Sequence, residues 1–182
     1  MTQSARLAAL GGLLLLLLWG ITNTIGALRP ASFAAIGKEA PDFDLPLLTE
    51  DKRLTLSELK GKVVLLDFFA TWCKPCKEEI PVLIRMSNKY PTDKVTIISV
   101  NVIESERNGL QGVLGFAKRF KITYPVIVDY NDQAKDAYRV EAFPTLVFID
   151  QNGKIRDVSQ GARSEEELSG TIDALLAEAT AN

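Results

Sequence analysis

Val64-Leu65-Leu66-Asp67-Phe68-Phe69-Ala70-Thr71-Trp72-Cys73-Lys74-Pro75-Cys76 is the stretch that decides how this chain folds. Its first part, Val63 to Phe69, is almost continuously apolar, which marks a strand buried on both faces. Two cysteines three positions apart follow directly. Pro75 suits the first residue of a helix. The residues beyond it carry Ile80, Leu83, Ile84 and Tyr90 on one helical face, with Pro81 expected to kink the helix. Cys76 then falls in the first helical turn and Cys73 just before it. Unpaired backbone N–H groups and the helix dipole at such a start favour an anion. The thiolate is the attacking form of cysteine, so Cys73 is the expected nucleophile, with the charge of Lys74 beside it. The spacing lets Cys76 attack a mixed disulfide formed on Cys73. Trp72 is expected to shield the pair on one side.

The composition narrows the chemistry. The 182 residues hold no histidine and only these two cysteines. That removes His-ligated metal sites, Ser-His-Asp triads and Cys-His dyads. It also removes a scaffold of several disulfides. The formal charge of −2 gives no basic surface for nucleic acid. Half a zinc site would need further ligands, and a structural disulfide closing so small a loop would restrict the unfolded chain little. Thiol–disulfide exchange remains, a chemistry that calls for no cofactor and no metal.

Such exchange needs a proton acceptor, and without histidine a carboxylate is the natural choice. Asp67 lies in the middle of the apolar strand, six residues before Cys73, where burial would raise its pKa. The alternative is a strand-end residue that reaches water. Glu79 lies one helical turn beyond Cys76 and can face the dithiol. The alternative, a solvated helix residue, suits its neighbour Glu78 better. Pro144 opens a later strand, a position that sheets tolerate. From the sequence alone it is a plain strand-start proline.

Working outward, Leu7 to Leu28 is an apolar stretch of about 22 residues, enough to span a hydrocarbon core of roughly 30 Å. Arg6 precedes it and Arg29-Pro30 ends it. It reads as a signal anchor with the N-terminus inside, giving a single-pass cell-membrane protein with its catalytic domain on the extracytoplasmic, periplasmic side. The competing reading is a cleaved signal peptide with Ser32-Phe33-Ala34 as the cleavage site. The domain plan is an anchor or signal segment at 1–30, a linker at 31–39 and one folded domain at 40–182. Asp42 to Leu48 reads as a short edge strand paired with Leu54 to Leu56. Ser57 to Gly61 reads as one helical turn, with Ser57 as cap and Gly61 as stop.

Downstream, Val95 to Val102 is a second buried strand and Leu110 to Phe120 a helix. Val126 to Asp129 is a strand and Gln133 to Tyr138 a short helix. Thr145 to Ile149 and Ile155 to Gln160 flank Asn152-Gly153, a strong hairpin signal. Ser164 and Glu167 form a capping box that opens a last helix with Leu168, Ile172, Leu175 and Leu176 on one face. The order implies an α/β fold, a central mixed sheet with helices on both faces.

The quoted run, Pro81 five residues after Cys76, and Phe143-Pro144-Thr145 together resemble thioredoxin-fold proteins. Gly37-Lys38-Glu39-Ala40-Pro41-Asp42-Phe43, the segment Leu56 to Lys62, Cys76-Lys77-Glu78-Glu79-Ile80-Pro81 and the inserted helix narrow the resemblance to the TlpA/ResA-like group, over about residues 36–179. The resemblance implies a thioredoxin-like fold with an N-terminal extension, a cis peptide before Pro144 and Glu79 as a buried glutamate tuning the dithiol. It implies a partner groove lined by Trp72, Lys74, Pro75, Phe143 and Pro144. It further implies an exported, membrane-held reductant of protein disulfides. Its substrates would include the haem-binding cysteines of apocytochrome c during cytochrome c maturation, and a membrane electron donor of the CcdA/DsbD type would recharge it. Three positions depart from the group's pattern: Asp67 where asparagine is common, Ala142 for the usual glycine, and the bulky Phe143. A general oxidant of exported proteins is the main rival. A peroxidase would need a threonine where Ala70 stands, and a metal-delivery module would need a distal histidine.

Overall fold

The computed structural model describes residues 36–180. The expected anchor and nearly all of the linker lie outside the described residues. Among the described residues, no helix is long and apolar enough to cross a membrane.

The strand that the sequence marks as buried is the centre of the molecule. A five-stranded sheet has, in spatial order, Val126–Asp129, Val95–Val102, Val63–Phe69, Thr145–Ile149 and Ile155–Gln160. Strand β3 spans Val63–Phe69, with all seven residues buried. It pairs parallel with β4, Val95–Val102. On its other side it pairs antiparallel with β6, Thr145–Ile149. Strand β5, Val126–Asp129, extends the parallel side. Strand β7, Ile155–Gln160, closes the antiparallel side through a hairpin. Asn152-Gly153 lies in that hairpin, and Gly153 takes a φ of 82° that a side chain would strain.

Alternate side chains divide the core into two layers. On one face, Leu65 and Phe148 pack with Leu83 and Met86 of helix α1, Lys74–Lys89, and with Leu168 and Ile172 of helix α4, Glu165–Thr180. Helix α2, Gly109–Phe120, joins that face through Val113 and Phe116, which pack with Phe69, Val126 and Val128. The other face buries Val64, Leu66 and Phe68 with Ala134 of the short helix α3, Gln133–Ala137, with Tyr138 directly after it, and with Phe43 and Leu45. Leu45 belongs to a separate antiparallel pair, β1 at Asp44–Pro46 and β2 at Arg53–Thr55. Each fully buried Leu or Phe contributes about 1.5–3 kcal/mol, so this central strand is the main source of cohesion. The arrangement is a thioredoxin-like α/β fold with a mixed central sheet.

One local expectation needs correction. Leu56–Leu59 is a 3-10 turn, and the residue preceding it is Thr55. Ser57 does not cap it, because it lies inside the turn, where its own backbone N–H donates to the Asp42 carboxylate at 2.9 Å. Pro81 sits inside α1 without ending it. The capping box of α4 forms as expected: the Ser164 N–H donates to Glu167 at 2.8 Å, and the Glu167 N–H donates to the Ser164 hydroxyl at 3.3 Å.

Candidate active site

The end of β3 turns through Ala70-Thr71-Trp72, and the Cys73 N–H closes that turn on the Ala70 carbonyl at 3.1 Å. Cys73 is the residue capping α1, and its sulfur accepts the Cys76 N–H at 3.2 Å. One free donor of the helix start is therefore spent on the Cys73 sulfur, as an anion-stabilising start requires. The two cysteines form a disulfide of 2.05 Å. Cys73 is 3% exposed and Cys76 1%.

Behind the disulfide lie the two carboxylates. Asp67 points to the face that carries α1, because it alternates with Leu66 and Phe68, which face the other layer. It is 1% exposed, and Glu79 on α1 is 2% exposed. The strand-end and solvated-helix alternatives are therefore excluded. Asp67 Oδ2 accepts the Ser99 hydroxyl at 2.8 Å, and Ser99 stands directly opposite Asp67 in the β3–β4 ladder. The Tyr124 hydroxyl lies 3.2 Å beyond Ser99. Glu79 Oε1 accepts the Arg163 backbone N–H at 2.9 Å. Asp67 Oδ1 and Glu79 Oε2 are buried with no hydrogen-bond partner. A buried carboxyl oxygen left without a partner costs much more when ionised than when protonated.

Burial accordingly raises both groups, Asp67 up to about 7 and Glu79 up to about 8. For Glu79 the negative charge of Asp67 adds to desolvation, while the Arg163 N–H and guanidinium oppose it. For Asp67 the Ser99 hydrogen bond opposes desolvation. The pair shares a site in which one charge disfavours the other, so their protons leave as a coupled set. This is a proton store one helical turn from Cys76.

The expected groove residues divide. Phe143 and Pro144 are joined by a cis peptide. Phe143 packs beside Cys73 and Cys76 in one apolar cluster, and the Trp72 ring meets it edge-on at 6.1 Å between centroids. Trp72 is 51% exposed, so it forms a wall beside the dithiol more than a cover. Its indole N–H donates to the Ser105 carbonyl at 2.7 Å. Pro75 lies in the first turn of α1 as expected. Lys74 does not serve the sulfur: its side chain is 88% exposed and leans to Glu78 at 3.9 Å. A long, strongly hydrated ammonium prefers water and an i,i+4 partner to a buried sulfur. Sequence reasoning missed Ser99, Tyr124, Arg163 and Glu106. Ser99 and Asn101 carry a signal, since polar residues two apart in a buried strand share one face.

A thioredoxin-like fold with this Cys-x-x-Cys pair at a strand–helix junction defines a thiol–disulfide oxidoreductase, an enzyme acting on protein disulfides. The model of the AhpC/TSA family matches residues 36–158. A thiol-disulfide oxidoreductase ResA of Geobacillus thermodenitrificans is 36% identical over 177 residues, 96% of this chain and 99% of that protein. ResA of Bacillus subtilis is 37% identical over 167 residues, 91% of this chain and 90% of that protein. The solved structure of a thiol:disulfide interchange protein of the thioredoxin family from Chlorobium tepidum superposes with a TM-score of 0.69 at 26% identity, covering 80% of this chain and 99% of that one. The chain belongs to the AhpC/TSA family and, within it, to the ResA-like thiol–disulfide oxidoreductases.

Proposed function

We propose that this enzyme is a membrane-anchored, extracytoplasmic reductant of protein disulfides. The observation that carries the direction is the buried carboxylate pair behind the dithiol. Reduction places a thiol or thiolate at Cys76, beside groups that already resist ionisation. A buried site that resists charge on the carboxyls also disfavours a thiolate, which destabilises the reduced form relative to the disulfide. A strong oxidant has the opposite arrangement, a stabilised reduced form.

The exchange balances as follows. The Cys73 thiolate attacks one sulfur of the partner disulfide, and the other leaves as a thiolate and takes a proton. The Cys76 thiol gives its proton to whichever of Glu79 and Asp67 is ionised at that moment, and the thiolate attacks Cys73. The second partner sulfur leaves, and Cys73–Cys76 closes as a disulfide. The partner gains two electrons and the enzyme loses two. A membrane electron donor of the CcdA/DsbD type would then reduce the enzyme. The apolar stretch Leu7 to Leu28 after Arg6 supports the anchor. The resemblance to the TlpA/ResA-like group supports the haem-binding cysteines of apocytochrome c as substrate.

The test is Cys76→Ser in the full chain, expressed in its membrane. Partners should accumulate as mixed disulfides on Cys73 and come away with reductant. Equilibration of the unaltered enzyme with glutathione should give a potential nearer about −270 mV than about −120 mV. A thiol-specific capture that recovers nothing above the Cys73→Ser/Cys76→Ser control would overturn the reading.

A further inference from the structure

The turn that delivers Cys73 is gripped from outside by a segment with no part in the exchange described above. After β4 the chain makes a 3-10 turn at Ile103–Ser105 and reaches Glu106 before α2 begins. The Glu106 carboxylate takes three donors. Oε1 accepts the Thr71 backbone N–H at 2.6 Å and the Asn101 side-chain amide at 2.8 Å. Oε2 accepts the Thr71 hydroxyl. Its neighbour Ser105 accepts the Trp72 indole N–H through its backbone carbonyl. Thr71 and Trp72 are the two central residues of the turn that Cys73 closes on Ala70. Both are therefore fixed by residues more than thirty positions away, and Asn101, which directs the clamp, is fully buried in β4.

We propose that Glu106 is a positioning residue that sets partner affinity by holding the Thr71–Trp72 turn and the indole wall of the groove. This rests on the exchange activity proposed above. Glu106 hydrogen-bonds neither cysteine, so it acts through Trp72 and not on the sulfurs. The Trp72 indole is 51% exposed and is tied by its ring contact with Phe143 and its N–H bond to the carbonyl of Ser105, the residue next to Glu106. Fixing it in advance removes an ordering cost from partner binding. Charge-assisted hydrogen bonds to a carboxylate are roughly twice as strong as neutral ones, which suits a clamp on an exposed loop.

The test compares Glu106→Ala and Glu106→Gln in the full chain in mild detergent, with insulin as the protein disulfide and oxidised glutathione as the small one. Glutamine keeps the hold: its oxygen accepts Thr71 N–H and Asn101, and its amide donates to the Thr71 hydroxyl, which also accepts. Glu106→Ala should raise KM for insulin by about tenfold, the scale of one lost charged contact, with kcat and the glutathione rate within about twofold. Glu106→Gln should stay within about twofold of the parent throughout. In a Trp19→Phe background, acrylamide should quench Trp72 fluorescence more strongly in the alanine variant only. Three results would overturn the proposal: an unchanged KM in Glu106→Ala, an equal loss with both disulfides, or a glutamine variant as impaired as the alanine one. An unaltered enzyme that exchanges with neither disulfide would instead defeat the functional reading, while the quenching measurement would still report on the clamp.

Discussion

Glu79→Gln isolates the buried carboxylates from every other titrating group. The chain has no histidine, and the closed disulfide removes both cysteines from titration. Between pH 5 and 9 the largest contributions to the pH dependence of the oxidised enzyme come from Asp67 and Glu79, with Asp129, also raised by burial, a further one. A carboxyl raised by folding keeps its proton in the fold at a pH where the unfolded chain has lost it. The native state binds more protons, so stability falls as pH rises from the unfolded value to the folded one, and the full penalty is present above it. For Glu79 the window runs from 4.5 to about 8. The penalty is on the order of 5 kcal/mol, at about 1.4 kcal/mol per pH unit within the window. Glutamine retains the Arg163 N–H bond to Oε1 and places its amide where Oε2 has no partner. Urea unfolding of the oxidised chain at pH 5 to 9 should therefore show a steep loss of stability in the parent and about half that loss in Glu79→Gln, because Asp67 still titrates. Asp67→Asn/Glu79→Gln should be nearly flat. A parent whose stability does not change across this range, or a Glu79→Gln variant that falls as steeply as the parent, would refute the argument.

Ser99→Ala removes the hydrogen bond that opposes desolvation at Asp67. The Asp67 proton should be held to higher pH, and the exchange pH profile should move alkaline. Leu83→Ala should cost about 2–5 kcal/mol, since Leu83 is fully buried between α1 and the sheet; urea midpoints measure it. Ser164→Ala removes the cap of α4 and should cost about 1 kcal/mol, measured by the same unfolding, with exchange rates unaltered.

What the sequence made legible was local or periodic. The apolar run of β3, the cysteine spacing and the helix face beyond it were enough for the sheet centre and the nucleophile. Asn152-Gly153 located the hairpin, and Ser164 with Glu167 located the start of α4. The burial of Asp67 followed from its apolar strand and the facing of Glu79 to the dithiol from one helical turn, while the burial of Glu79 was implied by the family resemblance. What escaped was contact between distant segments. Arg163 reaches Glu79 across 84 positions and Glu106 reaches Thr71 across 35, and neither leaves a periodic trace. The Ser57 cap failed for the same reason, since its rival acceptor Asp42 lies 15 positions earlier. Lys74 was misread because sequence adjacency to Cys73 was taken as spatial adjacency to the sulfur.

The strand that carries Asp67 has a neighbour on each edge, parallel β4 and antiparallel β6, and no exposed residue. Its amides should be among the slowest to exchange with deuterium, opening only when the whole domain opens. The reactive turn thus projects from the stiffest beam in the molecule. Small displacements of the beam would move the sulfurs directly, and substitutions along it would register first as lost folding and only then as altered chemistry.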